Sequence, residues 1–195
     1  SSAIIYGDSA PIGETKIITA DTPPAPRSCY GDSKLRAELR LRPLDSPDFH
    51  VAILRLPMVY GADSKGNYPL LAKAAARLPV FPMIWNERSM LYVENLCEFL
   101  RLVIRNRESG TFYPQNEEYV CTSEMVREIA AAHGHKLWLV KGFQSILRLA
   151  GYGSGLVSKV FGNLVYAQEL SQYPENYRVC SFAESIRRTE ARTEA

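Results

Sequence analysis

A tyrosine and a lysine four residues apart are the first candidates for chemistry in this sequence. Tyr30 and Lys34 lie in the segment RSCYGDSKLRAELRLR, whose pattern predicts a helix from about Ser28 to Leu44. Side chains four residues apart on a helix are neighbours, and an adjacent ammonium favours the charged form of a phenol. Such a phenol can exchange a proton with an alcohol–ketone pair. Ser2 is the third candidate, because a hydroxyl near the same carbon can hydrogen-bond the substrate oxygen.

These residues must be positioned by the elements around them. We predict strands at AIIYG, HVAILRLPMVYG, RSMLYV, GTFYPQ and KLWLV. We predict helices at YPLLAKAAARLP, ENLCEFLRLVIRN, TSEMVREIAAAHG and SFAESIRRTEA, with Thr122 and Ser181 as the caps of the last two. The segment DSAPIGETKIITADTPPAPR is predicted to be a long loop. Strands that alternate with helices favour an α/β architecture with a largely parallel sheet.

The composition narrows the classes of function. The 195 residues include 23 basic and 21 acidic side chains, a balance that gives no electrostatic footprint for nucleic acid. No apolar run reaches the roughly 18 residues of a membrane span. Four scattered cysteines without a CxxC pair favour buried, reduced thiols over disulfides or a zinc site. We predict no metal site, and we interpret His133 as part of a helix C-terminus.

The order of three motifs identifies a family resemblance. SSAIIYGD is followed by YGDSK and then by LRLPMVYG, and in this arrangement the chain resembles the extended short-chain dehydrogenase/reductase superfamily, specifically its nucleotide-sugar epimerases, dehydratases and 4-ketoreductases. The resemblance implies that Ser2, Tyr30 and Lys34 are catalytic. It makes Tyr30 the general acid/base, while Lys34 favours the phenolate and holds the nicotinamide ribose of NAD or NADP.

The same resemblance implies further contacts. The residues expected to contact the cofactor are Ser1, Tyr30, Lys34, Leu56, Pro57 and Met58. Arg88, in RSMLYVENL, is expected to meet the phosphates of a nucleotide sugar, because the guanidinium fork matches phosphate oxygens. Asn67 is a candidate contact to the same substrate. A salt bridge of Arg88 with Glu87 or Glu94, and a turn role for Asn67, are the structural alternatives.

The fold implied by the resemblance is the C-terminal part of a Rossmann-like doubly wound parallel sheet, plus a small, mostly helical substrate-binding region. Residues 1–61 would be the second half of the Rossmann-like domain, with the catalytic residues. Residues 62–195 would form the substrate-binding region, interleaved with the last sheet elements. The glycine-rich phosphate fingerprint of such domains is not found: GYGSG at 151–155 is interpreted as a loop. We therefore expect that the N-terminal nucleotide-binding half is not represented, and the choice between NAD and NADP stays open.

The predicted function is hydride transfer at sugar C4. The resemblance implies that a dehydratase would have acidic residues beside the serine, and none adjoins Ser2 in SSA. The resemblance therefore favours an epimerase or a 4-ketoreductase, and the choice between those two is open. The alternatives are a non-catalytic relative that senses a dinucleotide or binds a partner, and an inactive fragment of the enzyme. We expect a nucleotide-sugar substrate, a cytoplasmic location and possible homodimers through the helix that contains Leu39 and Leu41. Residues 143–166 are predicted to form a helical lid, with attachment to a membrane surface as the alternative.

Overall fold

The computed structural model describes residues 1–143 and 160–193 of the chain. The α-helices in these residues are α1 (Cys29–Leu41), α2 (Tyr68–Arg77), α3 (Val93–Arg105), α4 (Thr122–Ala132) and α5 (Phe182–Thr193). Short 3-10 helices span Ala3–Tyr6, Arg42–Leu44 and Gln168–Ser171. The loop predicted at 151–155 and most of the predicted lid lie outside the described residues.

The strands of the described part form parallel pairs. They are β1 (Lys16–Ile18), β2 (Ala52–Leu54), β3 (Met58–Tyr60), β4 (Val80–Pro82), β5 (Met90–Tyr92), β6 (Gly110–Phe112), β7 (Trp138–Val140) and β8 (Leu164–Tyr166). The pairs are β1 with β8, β2 with β6, β3 with β5 and β4 with β7. Parallel partners need a crossover connection, and α2, α3 and α4 lie in these connections. The predicted α/β architecture with parallel strands is confirmed.

The first predicted strand is wrong. AIIYG forms the 3-10 helix Ala3–Tyr6, because the hydroxyl of Ser2 accepts a hydrogen bond from the Ile4 N–H at 3.4 Å and starts a turn. Gly7 ends this turn at a φ of 81°, in the region that favours glycine. Strand-like pairing is confined to Ser2, which forms a parallel bridge with Leu56. We call Ser2 and the 3-10 helix together the Ser2 turn.

Further segments differ from their predicted form. Residues 164–166, at the end of the predicted helical lid, form β8. The long loop predicted at 8–27 contains β1, which pairs with β8 and buries Ile18 completely. The single strand predicted at HVAILRLPMVYG divides into β2 and β3, which have different partners. Pro57 lies at the division, and since proline has no N–H it cannot donate to a strand ladder.

The helix ends show which capping predictions hold. The Ser28 hydroxyl accepts a hydrogen bond from the Gly31 N–H at 3.1 Å, so the predicted start of α1 is confirmed. The Ser181 hydroxyl likewise accepts from the Glu184 N–H at 3.4 Å at the start of α5. His133 is the C-terminal cap of α4, as predicted, and its Nε2 lies 2.8 Å from a Glu190 carboxylate oxygen.

The predicted cap of α4 is wrong. Cys121 precedes the helix without capping it through its side chain. The Thr122 N–H donates instead to the Asn86 side chain at 2.9 Å, and the Thr122 hydroxyl donates to the Val160 carbonyl at 2.8 Å. Tertiary partners therefore replace the local capping bonds.

The buried apolar side chains of residues 1–143 and 160–193 form three clusters. In the largest, α2, α4 and α5 pack together, and the rings of Tyr60 and Tyr68 stack at 5.7 Å. In the second, Phe99 of α3 meets Tyr173 and Tyr177 edge-on at 5.2 and 4.8 Å. The third lies beneath the Ser2 turn and contains Ile5, Tyr6, Ile18 and Tyr166.

The predicted burial of the cysteines is wrong. All four are free thiols, but Cys29 and Cys97 are exposed, and Cys121 and Cys180 are only half-buried. No helix of the described residues has both the length and the apolar character needed to cross a membrane.

Candidate active site

Ser1 and Ser2 lie beside Leu56 through main-chain pairing. The Ala3 N–H donates to the Leu56 carbonyl at 2.8 Å, and the Leu56 N–H donates to the Ser1 carbonyl at 3.4 Å. Ser2 and Leu56 are both half-buried. Two of the segments that the sequence assigned to the site are thus adjacent.

Helix α1 packs its first turn against the Ser2 turn. A Cβ added at Gly31 would come within 3.0 Å of the Ile4 carbonyl oxygen and 3.1 Å of the Pro26 Cβ. The close approach explains why glycine follows Tyr30, since any larger side chain would push α1 away from the Ser2 turn.

Tyr30 and Lys34 interact within α1 as their spacing predicts. The Lys34 ammonium lies over the Tyr30 ring, 5.1 Å from its centroid, a geometry typical of cation–π contacts. Tyr30 is 58% exposed and Lys34 is half-buried. The phenol is therefore open to a substrate from the solvent side, with a positive charge on its ring face.

The Ser2 hydroxyl and the Tyr30 phenol are not hydrogen-bonded to each other in the described residues. The hydroxyl of Ser2 bonds to the Ile4 N–H, and the carbonyl of Tyr30 accepts from the Ser33 hydroxyl at 2.7 Å. Their chain segments are nevertheless adjacent, because the first turn of α1 packs against the Ser2 turn. The two hydroxyls could therefore act together only through a third group that hydrogen-bonds to both.

The remaining cofactor candidates follow Leu56 along the chain. Pro57 is buried between β2 and β3. Met58 is half-buried and pairs with Met90 at the start of β3. Leu56 and Met58 both have half-buried apolar side chains, but only Leu56 pairs with the two N-terminal serines.

The two candidate substrate residues lie on other elements. Asn67 is half-buried and precedes α2, where its carbonyl accepts from the Leu71 N–H at 3.2 Å. Arg88 is half-buried, and its main chain forms bridges with Val120 and Leu164. An Nη of Arg88 donates to the Val160 carbonyl at 3.1 Å.

Burial lowers the pKa of the Arg88 guanidinium, because removing a charge from water disfavours the charged form. One of the two alternative ion-pair partners, Glu94, forms salt bridges with Arg188 and Arg192. An anion close to Arg88 would stabilise its charged form.

A buried ion pair that the sequence reading missed lies next to the candidate site. The Arg55 side chain is 7% exposed and that of Glu38 is 2% exposed. The Arg55 Nη2 donates to Glu38 at 2.7 Å and its Nε donates to both carboxylate oxygens at 3.1 and 3.2 Å. An arginine inside the apolar strand segment VAILRLPM was the available signal, since a buried guanidinium requires a partner. The partner, 17 positions earlier in the chain, could not be identified from spacing.

The other edge of the Arg55 guanidinium binds two phenols. Its Nη1 donates to the Tyr6 hydroxyl at 2.5 Å and to the Tyr113 hydroxyl at 2.9 Å. Burial and the hydrogen bond from Tyr6 to Tyr113 raise the pKa of Tyr6, so this phenol stays protonated at neutral pH. For Glu38, burial is the largest single influence and opposes ionisation, but the hydrogen bonds and the positive charges around the carboxyl, those of Arg55 foremost, together lower its pKa.

No group of three His, Cys, Asp or Glu side chains in residues 1–143 and 160–193 is arranged to hold a metal ion. The polar groups at the candidate site are hydroxyls, an ammonium and a guanidinium–carboxylate pair. The hydroxyls can donate and accept hydrogen bonds, and the charged groups can stabilise an opposite charge beside them.

Comparison with solved structures shows which known folds this chain resembles. Over the whole of this chain, the UDP-glucuronic acid 4-epimerase of Bacillus cereus in complex with NAD superposes with a TM-score of 0.69 at 14% identity, and 60% of that chain is covered. The UDP-glucose 4-epimerase of Thermus thermophilus, also with NAD, gives 0.67 at 19% identity with 62% covered. The dTDP-glucose 4,6-dehydratase of Bacillus anthracis gives 0.65 at 18% identity with 60% covered. The chain thus spans about three fifths of the length of these Rossmann-like structures.

A search of curated protein sequences finds no significant match. The family model of the NAD dependent epimerase/dehydratase family matches residues 1–121, which include the Ser2 turn, α1 and the Arg55 ion pair. The predicted resemblance is therefore confirmed, and the chain belongs to the NAD dependent epimerase/dehydratase family.

Proposed function

We propose that the complete protein is an NAD(P)-dependent nucleotide-sugar epimerase or 4-ketoreductase that transfers hydride at sugar C4. The observation that carries this proposal is the Lys34 ammonium over the face of the solvent-accessible Tyr30 ring. It occurs where α1 packs against the Ser2 turn, so that a phenol, an ammonium and a hydroxyl lie in adjoining segments.

In this mechanism, Tyr30 takes the proton of the C4 hydroxyl when the sugar is oxidised and returns it when the ketone is reduced. The Ser2 hydroxyl hydrogen-bonds the same oxygen as its charge changes. Lys34 supplies positive charge beside the phenol and binds the ribose hydroxyls. When bound, the nicotinamide cofactor supplies the hydride acceptor and donor.

The residues of this chain fit the nicotinamide end of that cofactor. The half-buried apolar side chain of Leu56 belongs to the residue that pairs with Ser1, and that of Met58 follows two positions later; apolar side chains of this kind suit a planar aromatic ring. A glycine-rich loop for the phosphates is not part of the 195 residues. We therefore assign only the nicotinamide contacts to these residues. We also propose, as part of the same function, that residues 1–61 belong to the Rossmann-like domain and residues 62–195 to the substrate-binding region.

A nucleotide sugar is the proposed substrate. Arg88 is a partly buried guanidinium whose charged form a diphosphate would stabilise, and Asn67 adds an amide at the start of α2. The names of two compared structures, the UDP-glucuronic acid and UDP-glucose 4-epimerases, specify substrates of this class. They motivate the choice of sugars to test.

The test is to incubate the complete protein with UDP- and dTDP-sugars and with each oxidation state of NAD and NADP. Sugar isomers without a net change in nicotinamide absorbance indicate an epimerase, and a stoichiometric change in that absorbance indicates a reductase. Tyr30→Phe removes the proton-transferring oxygen and should lower kcat by about 100- to 10,000-fold.

Tyr173→Phe is the matched control, because this phenol donates to Glu108 beyond the end of α3 and should leave kcat unchanged. If Tyr30→Phe turns over as fast as the unchanged protein, Tyr30 is not the acid/base. If the protein binds dinucleotide but converts no sugar, the non-catalytic alternative is favoured.

A homodimer through α1 is a secondary proposal. Leu39 and Leu41 are 60% and 46% exposed on this helix, and burial of such side chains drives association. Sedimentation of the complete protein and of its Leu39→Glu variant would test this, with a monomeric variant as the expected result. A cytoplasmic location stays a prediction.

A further inference from the structure

The most deeply buried side chain of helix α1, which contains Tyr30 and Lys34, is a charged one. Of the 13 residues of this helix, all within the described part, only Gly31 and Glu38 are buried. Gly31 has no side chain with which to anchor the helix. Leu35 is half-buried and packs against the third cluster. The fully buried side chain of α1 is thus a carboxylate, one turn after Lys34.

The partner of this carboxylate is attached to the rest of the candidate site. Arg55 directly precedes Leu56, whose main chain pairs with Ser1 and Ala3. The same guanidinium donates to the hydroxyl of Tyr6, the last residue of the Ser2 turn. One side chain therefore connects α1, the Ser2 turn and the strand segment that contains the cofactor candidates.

The guanidinium is itself held in place on several sides. Its central carbon lies 5.4 and 5.6 Å from the ring centroids of Tyr6 and Tyr113. The Arg55 carbonyl accepts from the Tyr166 hydroxyl at 2.9 Å. Glu38 has a further partner in the Arg42 Nη2 at 3.3 Å. A fork geometry with this many contacts leaves Glu38 little freedom to shift.

From this arrangement we propose that Glu38 and Arg55 are positioning residues, which fix the rotation and height of α1 relative to the Ser2 turn. They act on the reaction through Tyr30 and Lys34 and do not touch the substrate. The inference rests on the proposed function, because it concerns the same site. Its physical basis is that displacing a catalytic group by about 1 Å can cost about 100-fold in rate.

The kinetic test uses Glu38→Gln and Arg55→Lys in the complete protein. Glu38→Gln keeps the size of the side chain but removes its charge, and Arg55→Lys keeps the charge but loses the fork. We expect Glu38→Gln to lower kcat by at least about tenfold and to change KM for the sugar by less than about threefold, as for loss of an interaction needed only for the chemical step. Arg55→Lys should lie between this variant and the unchanged protein.

Glu190→Gln is the matched control for general destabilisation. Glu190 is 5% exposed and accepts from the Tyr68 hydroxyl at 2.5 Å, with His133 at 2.8 Å, so it is also a buried carboxylate with polar partners. Its kcat at saturating substrate should match that of the unchanged protein. Equal losses in Glu190→Gln and Glu38→Gln would overturn the proposal, as would a raised KM with an unchanged kcat.

A second measurement does not depend on turnover. Hydrogen exchange of the main-chain amides should become faster across residues 30–38 in Glu38→Gln, while residues 122–132 in α4 should stay as they are. Unchanged exchange in α1 would overturn the positioning role even if no sugar is converted. Failure of Tyr30→Phe to slow turnover would instead contradict the proposed function, so the two failures are distinguishable.

Discussion

A methyl group added at Gly61 should separate β3 from α3. Gly61 follows β3 and faces Val93, the first residue of α3. A Cβ at position 61 would lie 2.4 Å from the Val93 Cγ1 and 3.0 Å from the Val93 Cβ. Carbon atoms pack best at about 3.5–4.0 Å, so Gly61→Ala creates an overlap of about 1 Å. Either the Val93 side chain rotates or α3 moves.

The size of the effect follows from two opposing contributions. Overpacking in a well-packed region costs about 1–3 kcal/mol, and the size of this overlap places the cost near the upper end of that range. Replacing glycine by alanine recovers about 0.4–1 kcal/mol by restricting the unfolded chain. The net loss is about 2–2.5 kcal/mol, which corresponds to a decrease of about 4–10 °C in Tm for a chain of this size.

Thermal unfolding followed by circular dichroism measures this decrease. The double variant Gly61→Ala/Val93→Ala lacks the Cγ1 that clashes. Its loss of unfolding free energy should therefore be smaller than the summed losses of the two single variants, by about 0.5–3 kcal/mol. Additive effects of the two changes, or a Gly61→Ala protein whose Tm is within about 1 °C of the unchanged protein, would refute the packing argument.

Two further predictions concern stability. Because the pKa of Glu38 is lowered in the folded protein from its ordinary value of 4.5, its pairing stabilises the fold above about pH 4.5 and this contribution is lost as the pH falls through the lower folded-state value. The Tm difference between the unchanged protein and Glu38→Gln should therefore shrink from neutral pH to about pH 3, and a constant difference would contradict this reasoning. Phe99→Ala should cost about 3–5 kcal/mol in urea unfolding, because Phe99 is 2% exposed among aromatic rings, whereas the exposed Leu100→Ala should stay within about 0.5 kcal/mol. A Phe99→Ala cost near that of Leu100→Ala would show that the second cluster is loosely packed.

The sequence predicted those elements whose signals are local. The Ser28 cap and the four-residue spacing of Tyr30 and Lys34 require nothing beyond one helix, and both are observed. The helix at α3 was likewise predicted from its periodicity, but its predicted apolar face is wrong, because Leu100 and Ile104 are exposed and Phe99 and Leu102 are buried instead. The AIIYG segment failed because its β-branched residues resemble a strand, whereas the Ser2 hydroxyl and Gly7 turn the chain.

The failures elsewhere have a common cause in tertiary partners. Thr122 has the sequence of a cap, but Asn86 and Val160 take its hydrogen bonds. Strand β1 lies in a segment that has loop composition, and it forms because β8 lies beside it. In each case the deciding partner is at least 36 positions away in the chain, beyond the range of any local pattern.

Within the candidate site, the interactions differ in how much they depend on the fold. The Lys34–Tyr30 contact is internal to α1 and would survive a displacement of the whole helix. The position of Ser2 depends on main-chain pairing with Leu56, and the position of α1 depends on the Glu38–Arg55 pair. A substitution can therefore leave the tyrosine and lysine in contact and still separate them from the serine. If the proposed function holds, such a variant would keep the Tyr30–Lys34 contact and lose turnover, and an intact YGDSK motif alone would not reveal the loss.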